Sequence, residues 1–391
     1  MRFSGLLILV VFQLVAGVPA AMCDLSPEVE VGVGYDDNIY READGLNDAP
    51  FLTYDLATSF DILSTLSSEL DVSLQARGLI FPHYETDGTQ EKYDLRVDFD
   101  RRIVGRNRRK VEVPSLDVEI RGFARNRQRT DVSRITGDEA IEISESDTTA
   151  LGGRFDSWVM GGATELSVRV LPSNLLKVEY RLLRRDYLED YDDLPDVQSL
   201  DYDSWKWDLE IWQELGRHLR LKLEYALSQN NHDERLARDL AGDEVAGIAR
   251  SFQYSTGVVS LESRRRDWGS WRLRAERRIR TDLFEGYYDC KRWVIEPMLR
   301  IDSIGPLDVE LSYKYLHRDY ERAYVANNPD RPVREDFERT LEADVAYRLG
   351  TSGAVFAHLT ADNTDERNPA YSHDRVRVWM GYRYGDRMEG R

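Results

Sequence analysis

Along most of this chain, apolar and polar residues alternate one by one. From 219 to 227, Leu219, Leu221, Leu223, Tyr225 and Leu227 enclose Arg220, Lys222, Glu224 and Ala226. Trp205, Trp207, Leu209 and Ile211 enclose Lys206, Asp208 and Glu210 in the same way. The period recurs at 93–99, 116–120, 307–315, 341–349 and 376–384. A period of two gives a strand one greasy and one wet face, whereas a helix needs apolar positions three and four apart.

The pattern predicts about sixteen strands, at 27–36, 50–62, 66–82, 91–103, 113–126, 155–170, 174–187, 200–214, 218–230, 250–265, 270–281, 289–302, 306–319, 336–349, 353–363 and 371–384. Many are ten residues or longer, against a usual strand of about five or six, and about nine to eleven tilted residues cross a bilayer. Connections at 63–65, 171–173, 215–217, 266–269, 303–305 and 350–352 are short. Those between them are mostly longer and polar, the longest being 127–154. Tight turns at one end and larger loops at the other are the rhythm of an outer-membrane barrel, and they predict both termini on the periplasmic side. The segment 104–112, with Arg106, Arg108, Arg109 and Lys110, is long for a periplasmic turn.

The two ends refine this reading. Arg2, the apolar run from Leu6 to Val15, and Val18, Pro19, Ala20 and Ala21 have the order of a cleavable secretory signal. Residues 1–21 are therefore expected to leave the mature chain, with 22–391 forming the barrel. Met22 before Cys23 argues against a lipobox. No later run approaches eighteen apolar residues, so membrane-spanning helices are excluded, while a barrel with one lipid-facing residue in two is not. Cys23 and Cys290 fall at opposite ends of such a barrel, too far apart for a disulfide.

If the apolar positions face lipid, the residues between them face a lumen, and they are charged with both signs. The acids are Asp94, Asp98, Asp117, Glu119, Glu179, Asp208, Glu210, Glu224, Asp308, Glu310, Glu342 and Asp344. The bases are Arg96, Arg121, Lys177, Arg181, Lys206, Arg220, Lys222, Arg272, Arg274, Lys314, Arg348, Arg377 and Arg383. Charges at this density need water or partners, and a hydrated wall of cross-strand pairs supplies both. They serve either as a lattice that stiffens the wall or as a field that selects permeants. The 127–154 connection is the candidate for an infolded constriction or an external flap.

A net charge of −18 excludes a nucleic-acid footprint. Acid-rich loops at 36–48 and 186–203 suit divalent cations or lipid headgroups in type, but their spacing matches no EF-hand. His83, His232, His317 and His373 are expected in or beside loops, and there is no GxSxG, HExxH or clear Ser-His pairing, so neither an enzyme nor a cofactor is expected. Tyr35, Tyr84, Tyr187, Tyr202, Trp205, Trp268, Trp271, Tyr287, Tyr288, Trp293, Tyr320, Tyr371 and Tyr384 lie near strand ends, where belts of aromatics would sit.

The first strand ends Gly34-Tyr35-Asp36-Asp37-Asn38, followed by Ile39-Tyr40. This resembles porin-like bacterial outer-membrane barrels, some of them linked to exopolysaccharide and cell-surface export. Val376, Val378, Met380, Tyr382 and Tyr384 alternate as in a barrel's last strand, though a polar tail, 385–391, follows. The expectation is a transmembrane antiparallel up-and-down barrel in the bacterial outer membrane, passing small hydrophilic solutes. Its partners would be outer-membrane lipid, lipopolysaccharide and the barrel-assembly machinery. Two alternatives stand beside it: a conduit for extracellular polysaccharide, and a non-conducting surface barrel whose acidic loops bind a partner or cations.

Overall fold

In the computed structural model, the described residues are 25–37, 48–65, 67–81, 90–104, 114–129, 157–187, 200–263, 268–324, 330–350, 352–367 and 372–385. The predicted leader, Cys23, His83, most of 127–154, residues 105–112 of the 104–112 connection and the polar tail beyond 385 lie outside them.

Sixteen strands form one closed ring. They are β1 (Leu25–Asp36), β2 (Ala49–Ser64), β3 (Ser68–Ile80), β4 (Gln90–Val104), β5 (Ser115–Arg129), β6 (Ser157–Arg169), β7 (Asn174–Tyr187) and β8 (Tyr202–Leu215). The second half comprises β9 (Leu219–Arg238), β10 (Glu244–Ser263), β11 (Gly269–Asp282), β12 (Cys290–Ile304), β13 (Leu307–Tyr324), β14 (Val333–Arg348), β15 (Gly353–Glu366) and β16 (His373–Tyr384). Each pairs antiparallel with its sequence neighbours, and β1 pairs with β16 to close the barrel.

Register fixes which face is which, because residues paired across antiparallel strands share a side. Arg121 on β5 reaches over β6 to Glu179 on β7 at 3.1 Å, and Arg383 on β16 reaches over β15 to Asp344 on β14 at 3.2 Å. Side chains two strands apart converge only on the concave side of a closed sheet. The charged face is therefore the inside. The convex face carries Val33, Leu95, Ile120, Leu209, Leu223, Ile295, Leu341 and Met380, all exposed. On β13 it is apolar from Leu307 to Tyr315, a run of about 27 Å along the strand or, at a tilt of about 40°, about 21 Å of height.

The predicted strands and the observed ones differ most around 231–249 and at 320–335. Those segments were expected to be loop, yet β9 and β10 run on to a turn at 239–243. Asp239 holds that turn, its Oδ1 accepting from the amides of Ala241 and Asp243 at 2.9 and 3.0 Å. Beyond His232 and Ser251 the two strands pair with each other alone. With water on more of its surface the arm carries polar residues on both faces, and the alternation that marks a wall strand is lost.

Two other expectations change for a reason of parity. Tyr187, Tyr202 and Tyr320 point inward rather than into an outer aromatic belt, while Tyr35, Trp205, Trp271, Trp293 and Tyr384 are on the convex face. His232 and His317 lie within strands, where Tyr202 pairs with His232 and Phe337 with His317.

The closing pair explains the first-strand motif. Arg375 donates through Nε to both carboxylate oxygens of Asp36, at 2.9 and 3.0 Å, and Nη2 closes the fork. Asp36 is 0% and Arg375 4% exposed. Asp37 accepts from the Val376 amide at 2.6 Å and returns its own amide to the Val376 carbonyl at 3.1 Å. Gly34 leaves room for Phe51 and Trp379 to meet over β1, 6.0 Å between ring centroids. A Cβ there would lie 2.5 Å from the Trp379 Cβ and 2.6 Å from the Phe51 ring.

Replacing Asp36 with Ala strands a buried guanidinium and is expected to cost about 3–5 kcal/mol. The double variant Asp36→Ala/Arg375→Leu should recover most of the loss. Urea titration of the folded, heat-modifiable band measures both, and equal loss in the two variants would contradict the account.

Candidate functional site: the inner wall

The even or odd parity of each strand brings all the predicted charged residues to the concave face. Asp94, Arg96 and Asp98 stand on β4; Asp117, Glu119 and Arg121 on β5; Lys177, Glu179 and Arg181 on β7; Lys206, Asp208 and Glu210 on β8. Arg220, Lys222 and Glu224 follow on β9, and Arg272 and Arg274 on β11. Asp308, Glu310 and Lys314 face inward from β13, Glu342, Asp344 and Arg348 from β14, and Arg377 and Arg383 from β16.

Most of them meet an opposite charge. Arg121 binds Asp98 at 3.1 Å, Glu119 at 2.5 Å and Glu179, which also takes Arg181 at 2.6 Å. Lys222 spans Glu210 and Glu224 at 2.9 and 2.8 Å. Lys206 holds Asp208 at 2.7 Å, Arg96 holds Asp98 at 2.6 Å, and Arg348 binds Asp308 through Nε at 2.8 Å. Lys177 pairs with Glu165 at 2.8 Å and Arg272 with Glu296 at 2.9 Å. The wall is a lattice of charge-assisted bonds that fixes side chains in place.

The sequence reading missed the densest part of it. Glu276 on β11 is 4% exposed and is gripped by Arg274 and by Arg292 of β12, with Arg278 at 3.8 Å. Arg272, Arg274, Glu276, Arg278 and Arg280 all face inward from one strand. Their alternation was legible, but Ala275 and Arg277 on the convex side weaken the apolar half of the pattern. Beside this strand, β8–β11 enclose a recess of about 390 Å³, lined by Lys206, Asp208, Asn230, Tyr254, Arg278 and their neighbours.

Across the lumen the sign reverses. In a ring of sixteen, β3 stands opposite β11. The inward ionisable groups of β1–β3 are Glu28, Glu30, Asp36, Asp55, Asp61, Glu69 and Asp71, with Arg77 as the one base; Asp36 and Glu30 are paired to Arg375 and Arg383 of β16. A cation-rich strand therefore stands opposite a stretch of wall whose own ionisable groups are nearly all acids.

One end of the lumen is narrowed on the β9–β13 side. Residues 283–289 fold in so that Tyr287 and Tyr288 are fully buried with Phe252, Cys290, Tyr320 and Ala323. Arg280 donates to the Tyr288 carbonyl at 2.9 Å while its guanidinium lies over Phe252 and Tyr320 at 4.8 and 5.4 Å. Arg250, itself buried, covers the Tyr288 ring at 4.4 Å. Such cation–π contacts hold the two guanidinium groups against the aromatic rings. Asp282 and Asp289 fasten the loop by accepting the amides of Phe284 and Asp282 at 3.1 and 2.6 Å. Burial, with Asp282 and Glu321 beside it, holds the Asp289 carboxyl above its ordinary range. Cys290 is a free, buried thiol.

Two described histidines sit in packed, hydrogen-bonded settings. His317 stacks on Phe337 and contacts Glu335 at 3.1 Å. His358, unremarked in the sequence, lies between Asp344 at 3.3 Å and Thr360 at 3.2 Å, stacked on Trp379. That order resembles an acyl-transfer relay, but Thr360 is 3% exposed, so no substrate reaches its hydroxyl. Among the described residues no group of three or more His, Cys, Asp or Glu converges to hold a metal.

No family model matches the chain, and no curated protein matches its sequence. Among solved structures, it is similar to OprB of Pseudomonas putida, with a TM-score of 0.51 at 10% identity over 93% of this chain and 94% of that one. OccAB3 of Acinetobacter baumannii aligns over 93% and 99% at 11% identity and a TM-score of 0.47. An anion-selective porin from Comamonas acidovorans aligns over the same shares at 11% identity and 0.44. At such identities the likeness is one of fold.

Tyr288→Ala should open the aromatic cluster at a cost of about 3–5 kcal/mol and make Cys290 react with maleimide. With Cys23 replaced by Ser in both proteins, the Cys290 thiol should stay unreacted while Tyr288 is intact, and labelling at equal rates would refute this packing.

Proposed function

We propose that this chain is a bacterial outer-membrane channel that passes small hydrophilic solutes passively, with weak charge selection. The observation that carries the reading is the contrast between the two faces of one closed sheet. The convex face is apolar over about the height that a bilayer's hydrocarbon requires, and the concave face carries a lattice of mostly paired charges. A ring of sixteen strands is wide enough to hold water inside such a face. The closed ring also leaves no unpaired strand edge, the condition for β-structure in lipid.

The leader at 1–21, removal by signal peptidase and termini on the periplasmic side belong to this reading. The side with tight turns would then face the periplasm, and the β9–β10 arm with the 283–289 loop would face outward. Lumen charges act on permeants mainly where pairing leaves a surplus, which is on β11 and on β1–β3. A solute with a dipole or mixed charge is oriented between them.

Planar-bilayer recording of the refolded chain 22–391 tests this. Discrete steps of constant size are expected, and a folded barrel that inserts but passes no current rejects the channel. Glu276→Gln leaves Arg274, Arg278 and Arg292 with less counter-charge. Under a salt gradient its reversal potential should move toward anion preference, and a shift toward cations would contradict the assigned surplus.

A further inference from the structure

The convex face also has a charged rim, where the apolar belt ends on the side of the longer connections. Along β7–β9 and β13–β16 this rim is largely acidic. Asp186, Asp203 and Asp233 surround Arg184 on β7–β9, and Asp319, Asp365 and Asp374 continue it on β13, β15 and β16. At β11–β12 it turns basic. Arg277 and Trp293 are register partners there, as are Ile279 and Lys291 one step further out.

Arg277 is exposed, and its guanidinium lies 5.1 Å over the Trp293 ring with no carboxylate partner among the described residues. Lys291 is 45% exposed, gives one of its three donors to Glu321 at 2.6 Å and has Asp319 as its register partner on β13. Arg277 and Lys291 are diagonal neighbours on adjacent strands, so their side chains start about 7–8 Å apart on one face. Immediately toward the belt stand Leu273, Ala275 and Ile295, and Trp293 itself is 48% exposed.

We propose that Arg277 and Lys291 form a binding site for the phosphate of a membrane lipid, whose acyl chain runs down over Trp293 and Ile295. The inference rests on the membrane reading above and adds a defined partner and place to it. A lipid is the occupant because the two cations adjoin the apolar belt and face away from the lumen. A soluble anion would gain nothing from Trp293 and Ile295.

Native mass spectrometry of the folded barrel with phosphatidic acid, and with diacylglycerol of the same acyl chains, tests the site. Phosphatidic acid should be retained as a single adduct and diacylglycerol should not. Arg277→Gln/Lys291→Gln should lower retention about tenfold or more. Arg339→Gln, whose guanidinium bonds Asn363 on the same face, should retain lipid like the unaltered protein. Equal retention of diacylglycerol, equal retention by the double variant, or displacement by millimolar inorganic phosphate would overturn the proposal. Vesicle flotation separates the two levels. A barrel absent from floated vesicles removes the membrane reading and the lipid site together, whereas flotation with unselective retention removes the lipid site alone.

Discussion

A sheet has two edges until it closes, and closure here requires strands at opposite ends of the chain to meet in one register. Backbone pairing alone does not choose that register, since a slip of two residues keeps every side chain on its proper face. The side chains across the β1–β16 seam do choose it. Asp36 and Arg375 are buried charges that each need the other, Asp37 pairs with the Val376 backbone, and Gly34 admits the Phe51–Trp379 contact. A seam misplaced by one pair would leave an uncompensated charge in a dry site, which is a heavy penalty. The Gly34-Tyr35-Asp36-Asp37 run has a physical role in this chain: it specifies where the ring shuts.

From that closure the chemistry of the wall follows. Parity assigns each residue to lipid side or lumen side, and the concave surface then crowds acids and bases within bonding distance. Local pairing neutralises most of them without making the wall uniform. The surplus of arginine on β11 and of carboxylate on β1–β3 survives because those strands are half a circumference apart and cannot quench each other directly.

Much of this was legible before any coordinates. Leu219 to Leu227 or Trp205 to Ile211 gives both the strand and its wet face, and the inward placement of Lys222 or Asp208 needs only period two. What escaped was whatever period two cannot encode. The arm at 231–249 has no apolar stripe because the neighbouring wall strands do not flank it. Tyr287, Tyr288 and Tyr320 have the composition of a belt but the contacts of a small core, a difference that lies in how 283–289 turns inward. Glu276 is one acid among many in the sequence, and only the meeting of β11 with β12 gathers Arg274 and Arg292 around it.

The closing seam has a topological consequence. Gly385 donates its amide to the Ser352 carbonyl, and a Cβ on it would sit 2.6 Å from the carbonyl oxygen of Pro27, so the start of β1 and the end of β16 lie side by side. A short peptide joining them would make the chain circular without crossing the lumen or lengthening any strand. The sixteen hairpin steps would then have no first member. New ends could be cut at another turn on the same rim, giving permuted chains that share one wall and differ only in the order in which its strands are synthesised.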